Sequence, residues 1–228
     1  MKDNHCHLDL MSDDLNTIIE RAKKVGVTEF IVPGVCGFPK KLNLLMKYNE
    51  VKICWGIYPE YAEVENIFEK ELKISKNSSI KIVGIGECGL DKRFSNLDKQ
   101  IELFEKHVKL ANELELPLII HLVGCWQKAL DILKKATYKP FVLHSWSGSV
   151  DMAKEFVKIG GMISLSACAL RNRKKLSELL NSIPKDKLLF ETDSPDQKPD
   201  FAKGTENEPA NLPKIVDEIK KYYTYENC

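Results

Sequence analysis

Four of the chain's five histidines stand where metal-binding side chains could stand. His5 and His7 form an H-x-H pair within Asp3-Asn4-His5-Cys6-His7-Leu8-Asp9. In an extended chain, side chains at i and i+2 point to the same side, so both imidazoles can face one cation. His121 closes the apolar run Leu116-Pro117-Leu118-Ile119-Ile120, and His144 closes Phe141-Val142-Leu143. Two carboxylates behave alike: Glu87 follows Ile82-Val83-Gly84-Ile85-Gly86, and Asp193 ends Leu188-Leu189-Phe190-Glu191-Thr192. Imidazole nitrogen and carboxylate oxygen are the ligands of catalytic divalent ions. A carboxylate buried at a strand end is costly unless paired or bound to a cation, and its two oxygens can bridge two metals. Asp193 is the better ligand candidate than Glu191, which lies deeper in the same strand and suits an ion pair or a supporting contact. His107, set among Glu105, Lys106 and Lys109, reads as an ordinary surface residue on a helix.

These groups need elements to hold them at one place. Eight short, mostly continuous apolar segments read as parallel strands buried on both faces: 4–8, 29–34, 52–57, 81–86, 116–120, 141–143, 161–165 and 187–192. Helical spacing fills the gaps. Ser12 is the expected cap of a first helix with Leu15, Ile18, Ile19, Ala22 and Val25 on its apolar face, ended by Gly26. Ile101, Phe104, Val108, Ala111 and Leu114 mark another. Ser149 opens a third, Leu176, Leu179, Leu180 and Ile183 line a fourth, and Pro209 starts the last. Residues 197–208 read as a long polar loop. Eight βα units in 228 residues predict a compact α/β fold, the (β/α)8 TIM barrel, as a single domain over 1–228. In such a barrel, residues at the carboxyl ends of different strands converge.

Composition bounds the rest. With 43% hydrophobic and 29% charged residues the chain can bury one sizeable core. The formal net charge is +1, so there is no global basic field, and a nucleic-acid substrate would need a local patch. The seven cysteines are scattered, odd in number and without a C-x-x-C pair, which fits a reduced protein better than a disulfide framework. Cys6, Cys54 and Cys88 are expected to be small buried hydrophobes. No apolar run approaches a membrane span, and the first predicted strand starts too early for a signal peptide. The expected location is cytoplasmic, and no protein partner is readable.

The pattern resembles the TatD group of metal-dependent deoxyribonucleases, which are amidohydrolase-like barrels. The resemblance rests on Asp3–Asp9, Ile31-Val32-Pro33-Gly34, Gly56-Ile57-Tyr58-Pro59, Ile85-Gly86-Glu87-Cys88-Gly89-Leu90-Asp91, Leu116–His121, His144-Ser145-Trp146-Ser147-Gly148, Leu189–Pro195 and Asn207–Leu212, in order along nearly the whole chain. It implies that His5 and His7 bind one cation, that Glu87 is shared, that His121 and His144 serve a second, and that Asp193 completes the first site beside a nucleophilic water. Glu87 and Asp193 are thus the implied catalytic residues. The implied cofactors are one or two divalent ions, Mg²⁺, Mn²⁺ or Zn²⁺, and the implied substrate is DNA.

The chain departs from that family where phosphate would be gripped. Tyr58 stands where a histidine is usual, Leu122 and Val123 follow His121 where a Ser-Arg pair is usual, and Glu206 replaces an arginine before Asn207-Glu208-Pro209. A neutral or acidic residue in place of arginine loses a bidentate partner for phosphate. Tyr58, Lys92 and Glu206 are therefore the expected substrate contacts, with Lys92 and Arg93 compensating and Glu206 repelling phosphate. Two other readings keep the metal centre: a hydrolase of a small lactone, amide or phosphoester, and a metal-binding barrel with little activity.

Overall fold

The computed structural model describes residues 1–64, 66–76, 80–136 and 140–224. Eight strands run parallel in chain order around one sheet: β1 (Lys2–Asp3), β2 (Glu29–Val32), β4 (Val51–Ile57), β5 (Gly84–Asp91), β6 (Leu118–Val123), β7 (Phe141–Leu143), β8 (Gly161–Leu165) and β9 (Leu188–Phe190). A two-residue strand, β3 (Cys36–Gly37), pairs antiparallel with the end of β4. Between them run α1 (Leu15–Lys24), α2 (Leu42–Leu45), α3 (Ile67–Lys76), α4 (Leu97–Leu114), α5 (Trp126–Leu133), α6 (Val150–Lys158) and α7 (Arg173–Ser182), with α8 (Leu212–Lys220) at the end. The chain just beyond the first strand meets the end of the last strand and the segment after it, through Asn4 N donating to Phe190 O (3.3 Å), Asp193 N to His5 O (2.9 Å) and His7 N to Ser194 O (2.6 Å). These bonds bring the two ends of the sheet together as a TIM-type (β/α)8 barrel.

Strand boundaries shift from the sequence expectation, among them β6, which runs from Leu118 to Val123 and so contains His121, and β9, which ends at Phe190 before Glu191 and Asp193; three further differences bear on the site. The first strand is only Lys2–Asp3, so His5 and His7 lie beyond it, on the irregular segment that joins the last strand. The fourth barrel strand begins and ends later than expected, at Gly84 and Asp91, which puts Glu87 inside it. The first helix is capped by Asp14, whose side chain accepts from Thr17 N at 2.9 Å; Ser12 instead binds Glu206. Ser149 does cap α6, accepting from Met152 N at 3.2 Å, and Pro209 opens a short 3-10 turn, Pro209–Asn211, ahead of α8.

Regular alternation would have turned Glu87 the wrong way. Ile85, Cys88 and Leu90 all pack into the apolar layer between sheet and helices. Ile85 and Cys88 are three apart, because the β5–β6 register jumps from Ile85↔Leu118 to Cys88↔Ile120. Two residues, Gly86 and Glu87, oppose one, Ile119. This β-bulge re-phases the strand and aims Glu87 inward, together with Asp91 four residues on. Gly86 and Gly89 make it possible. Both have positive φ (+149° and +141°), and a Cβ on either would collide with a β6 carbonyl oxygen, that of Ile119 or His121.

The barrel interior is layered. Ile31, Cys54, Ile119 and Val142 form an apolar layer toward the strand N-termini. Two residues on along β6 and β7, the same face carries His121 and His144. Cys6, Cys54 and Cys88 are all buried.

His107 corrects a sequence expectation: it is fully buried. Glu105, Lys106 and Lys109 are exposed, on the outer faces of the same helix. In the 18-residue α4 it lies one turn from Phe104 and Ala111, on the inward face. Ile57 N donates to its Nε2 (3.0 Å), Nδ1 binds Leu103 O (2.8 Å), and the Trp55 and Phe68 rings pack against it. Burial depresses its pKa to about 4.

Candidate metal centre

At the mouth formed by the strand C-termini, all six expected metal-type side chains meet around Glu87. Its Oε2 lies 3.4 Å from His5 Nε2 and 3.3 Å from His7 Nε2. Its Oε1 lies 2.9 Å from His144 Nε2 and 3.1 Å from His121 Nδ1. Asp193 Oδ1 is 3.5 Å from His5 Nε2 and 4.0 Å from each of His7 and His144. Every one of the six is buried. One carboxylate thus faces two separate pairs of imidazoles, one pair per oxygen.

The donor chemistry fits a cation. His5 Nε2 and His7 Nε2 are 3.2 Å apart, as are, at 3.1 Å, His121 Nδ1 and His144 Nε2. Two neutral imidazoles cannot both direct lone pairs at each other without a proton or a metal between them. His5, His7 and Glu87 form one compact group of ligand atoms, and Glu87, His121 and His144 another. Mixed imidazole nitrogen and carboxylate oxygen donors are a ligand set that divalent metal ions take.

A second layer of carboxylates orients the imidazoles on one side of Glu87. Asp91 Oδ2 lies 2.8 Å from His121 Nε2, which directs Nδ1 at Glu87. Glu191 Oε1 accepts from Ser145 N (2.6 Å) and lies 3.3 Å from His144 Nδ1, leaving Nε2 for Glu87. On the other side, the Nδ1 atoms of His5 and His7 are buried without a partner among the described residues. Burial raises Glu87, but the imidazoles of His144 and His5 outweigh it and hold the carboxyl well below the usual range. Asp91 is likewise held low: burial opposes, and the bonds from His121 and Arg93 prevail.

The cluster floors a cavity of about 780 Å³. Of the expected substrate contacts, Tyr58 lines it, its hydroxyl 3.2 Å from His121 Nε2. Lys92 and Glu206 are not on its wall. The Lys92 side chain packs over Gly124, and the Glu206 carboxylate accepts from Ser12 N (3.2 Å) and the Ser12 hydroxyl (2.9 Å). The arginine of this region that does line the cavity is Arg93, bound by Nε and Nη2 to Asp91.

Sequence reasoning missed two site residues. Asp91 is one, and the spacing Glu87-x-Gly89-x-Asp91 is a signal for it, because it puts Asp91 on the face of Glu87. Gln197 had no signal. Its amide donates to Asp193 Oδ2, and its carbonyl accepts from the hydroxyls of Ser145 (2.9 Å) and Ser166. Only the fold-back of the loop after β9 brings it there.

A (β/α)8 barrel with buried histidines and carboxylates converging at its C-terminal mouth belongs to the class of metal-dependent hydrolase barrels. Comparison with known proteins narrows the class. The family described as TatD related DNase matches residues 2–226. An uncharacterized metal-dependent hydrolase, MJ1582 of Methanocaldococcus jannaschii, is 36% identical over 226 residues, covering 96% of this chain and 87% of that one. The 3'-5' ssDNA/RNA exonuclease TatD of Erwinia amylovora is 29% identical over 220 residues, covering 90% and 85%. The crystal structure of YJJV, a TatD homolog from Escherichia coli, superposes with a TM-score of 0.86 at 26% identity, covering 98% and 90%. The chain belongs to the TatD family and is a metal-dependent hydrolase. Among the described residues no helix is long and apolar enough to cross a membrane.

Proposed function

We propose that this chain hydrolyses phosphodiester bonds of DNA, using one or two divalent ions held by His5, His7, Glu87, His121, His144 and Asp193. The observation that carries the reading is the placing of Glu87, with one oxygen toward each pair of imidazoles. The exonuclease and deoxyribonuclease names of relatives support the substrate class. Divalent ions bound there supply Lewis acidity: they acidify water near neutral pH and offset charge on phosphoryl oxygens.

The chain's own residues do the rest. Asp193, buried and flanked by His5 and His144, is the group that orients the attacking water and takes its proton. Glu87 holds the two imidazole pairs in register. Asp91 and Glu191 fix the tautomers of His121 and His144, so the nitrogens facing Glu87 carry lone pairs. Tyr58, beside His121 on the cavity wall, is placed to donate a hydrogen bond to a phosphoryl oxygen. Its burial keeps the phenol protonated by raising its pKa.

The test is hydrolysis by metal-stripped protein with Mg²⁺, Mn²⁺ or Zn²⁺ added separately, on an end-labelled single-stranded DNA and on a panel of lactones. DNA cleavage restored by at least one ion, with lactones untouched, is the expected result. Metal-restored lactonase activity without DNA cleavage would overturn it.

A further inference from the structure

The chain as a whole is close to neutral, at +1, so attraction for a polyanion has to come from a local surface. Glu206 cannot supply it, being acidic and tied to Ser12. The cavity has another basic wall. After β8 the chain makes a 3-10 turn, Ala167–Arg171, and enters α7 through Asn172, whose side chain accepts from Lys175 N (3.1 Å). Arg171 and Lys175 both line the cavity that the metal-type cluster floors.

We propose that Arg171 and Lys175 bind backbone phosphates of a single-stranded nucleic acid, beyond the phosphate held at the metal centre; this rests on the phosphodiesterase reading above and extends it to the strand that is recognised. Arg171 is exposed and forms no ion pair among the described residues. Lys175 is half-buried, and its ammonium donates to the Ser147 carbonyl (2.7 Å) with no carboxylate partner among the described residues. That partial burial pulls its pKa down, the mark of a cation whose counter-charge the protein does not supply. Arg93 differs: its fork is already committed to Asp91, which touches His121, so it belongs to the metal end of the cavity. The carboxylates of the wall, Glu60 and Asp196, come from other loops. A substrate bearing one anionic group would be fully engaged at the metal centre. Two further cations on one side of the same cavity match a ligand with more phosphates in series. A guanidinium fork pairs with two phosphate oxygens, and an ammonium adds a point charge.

The same stretch supplies its own control. Arg173 and Lys174 lie between the two residues in sequence, are exposed, and do not line the cavity. The experiment compares Arg171→Gln/Lys175→Gln with Arg173→Gln/Lys174→Gln, two variants with the same change in net charge. Affinity for a fluorescent single-stranded oligonucleotide is measured by anisotropy in chelator over a salt series. Hydrolysis of the oligonucleotide and of bis(p-nitrophenyl) phosphate, which has a single phosphate, is measured with metal. We expect the cavity-wall variant to lose at least about tenfold in oligonucleotide affinity, with the log–log salt slope shallower by roughly 1.4 for two lost contacts to a single strand. The outward variant should stay within about twofold. The fall in kcat/KM for the oligonucleotide should exceed the fall for the small ester at least tenfold. Equal losses in the two variants, or equal losses on the two substrates, would overturn the proposal. If the native protein cleaves neither substrate with any metal, the phosphodiesterase reading fails, and the anisotropy still decides whether this wall binds a strand.

Discussion

Two regions of this barrel bury histidine, and they use it differently. At the mouth, His5, His7, His121 and His144 turn ring nitrogens toward Glu87 and, from three of the four, toward Asp193 as well. Between β4 and α4, His107 is just as buried, but its ring is satisfied by two backbone groups and flanked by Trp55 and Phe68. Burial alone therefore does not make a ligand. What separates the regions is what the ring nitrogens face: the buried carboxylates Glu87 and Asp193 at the mouth, and backbone groups around His107.

The largest effect should come from breaking the mouth at its centre. Glu87→Gln keeps the shape and removes the charge that both imidazole pairs share. Activity should fall by about 10³-fold or more, on the order of 4 kcal/mol of transition-state stabilisation. With metal stripped from both proteins, the urea midpoint should move far less. Metal content by mass spectrometry and turnover would check it; unchanged stoichiometry and rate remove Glu87 from the site.

Metal removal tests the same region through stability. A ligand that binds only the folded state, at about 1,000 times its Kd, adds roughly 4 kcal/mol, or about 8–16 °C in Tm for a chain of this size. Chelation should lower Tm by that order in the native protein and by much less in Glu87→Gln. A thermal scan with and without chelator decides it.

The His107 region should respond to pH instead. Its folded pKa is about 4, depressed by burial, against an ordinary value of 6.5. The neutral ring is favoured in the folded state, so its contribution is fully present above pH 6.5 and is lost as pH falls toward 4. The span is on the order of 3 kcal/mol. In His107→Gln the amide oxygen can still accept from Ile57 N, and this part of the pH dependence should vanish. Urea unfolding of both proteins at pH 7 and pH 5 is the check: the variant should lose less stability than the native chain. A parallel loss in the two would show that His107 does not carry it.

The smallest effect should come from the supporting layer. Asp91→Asn keeps a hydrogen-bonding group beside His121 and removes the charge, so metal affinity should drop about 10–100-fold. Competitive chelator titration measures it, and an unchanged affinity would leave Asp91 as a partner of Arg93 only.

Much of this was legible in the residues. Parallel strands buried on both faces read as continuous apolar runs, and glycine and serine punctuate the helices between them, so the barrel follows from local pattern. The ends of those runs nominate His121 and His144, because strand C-termini converge in such a fold. Local pattern did not supply the direction of Glu87. That depends on a bulge whose position is set by β6 carbonyls pressing on Gly86 and Gly89. His107 was misread for the related reason that sequence neighbours of a helical residue lie on other faces, and the inward face is chosen by what packs against it. Glu206 was expected at the substrate because the loop after the eighth strand lies at the mouth, but loop side chains follow hydrogen bonds, and Ser12 claims this one. Periodicity and residue type, being local, determined the elements and the chemical kinds of side chain available. Which lone pair meets which carboxylate, which cation stays unpaired at the rim, and how Gln197 reaches Asp193 are contacts between segments far apart in the chain, and only tertiary packing decides those.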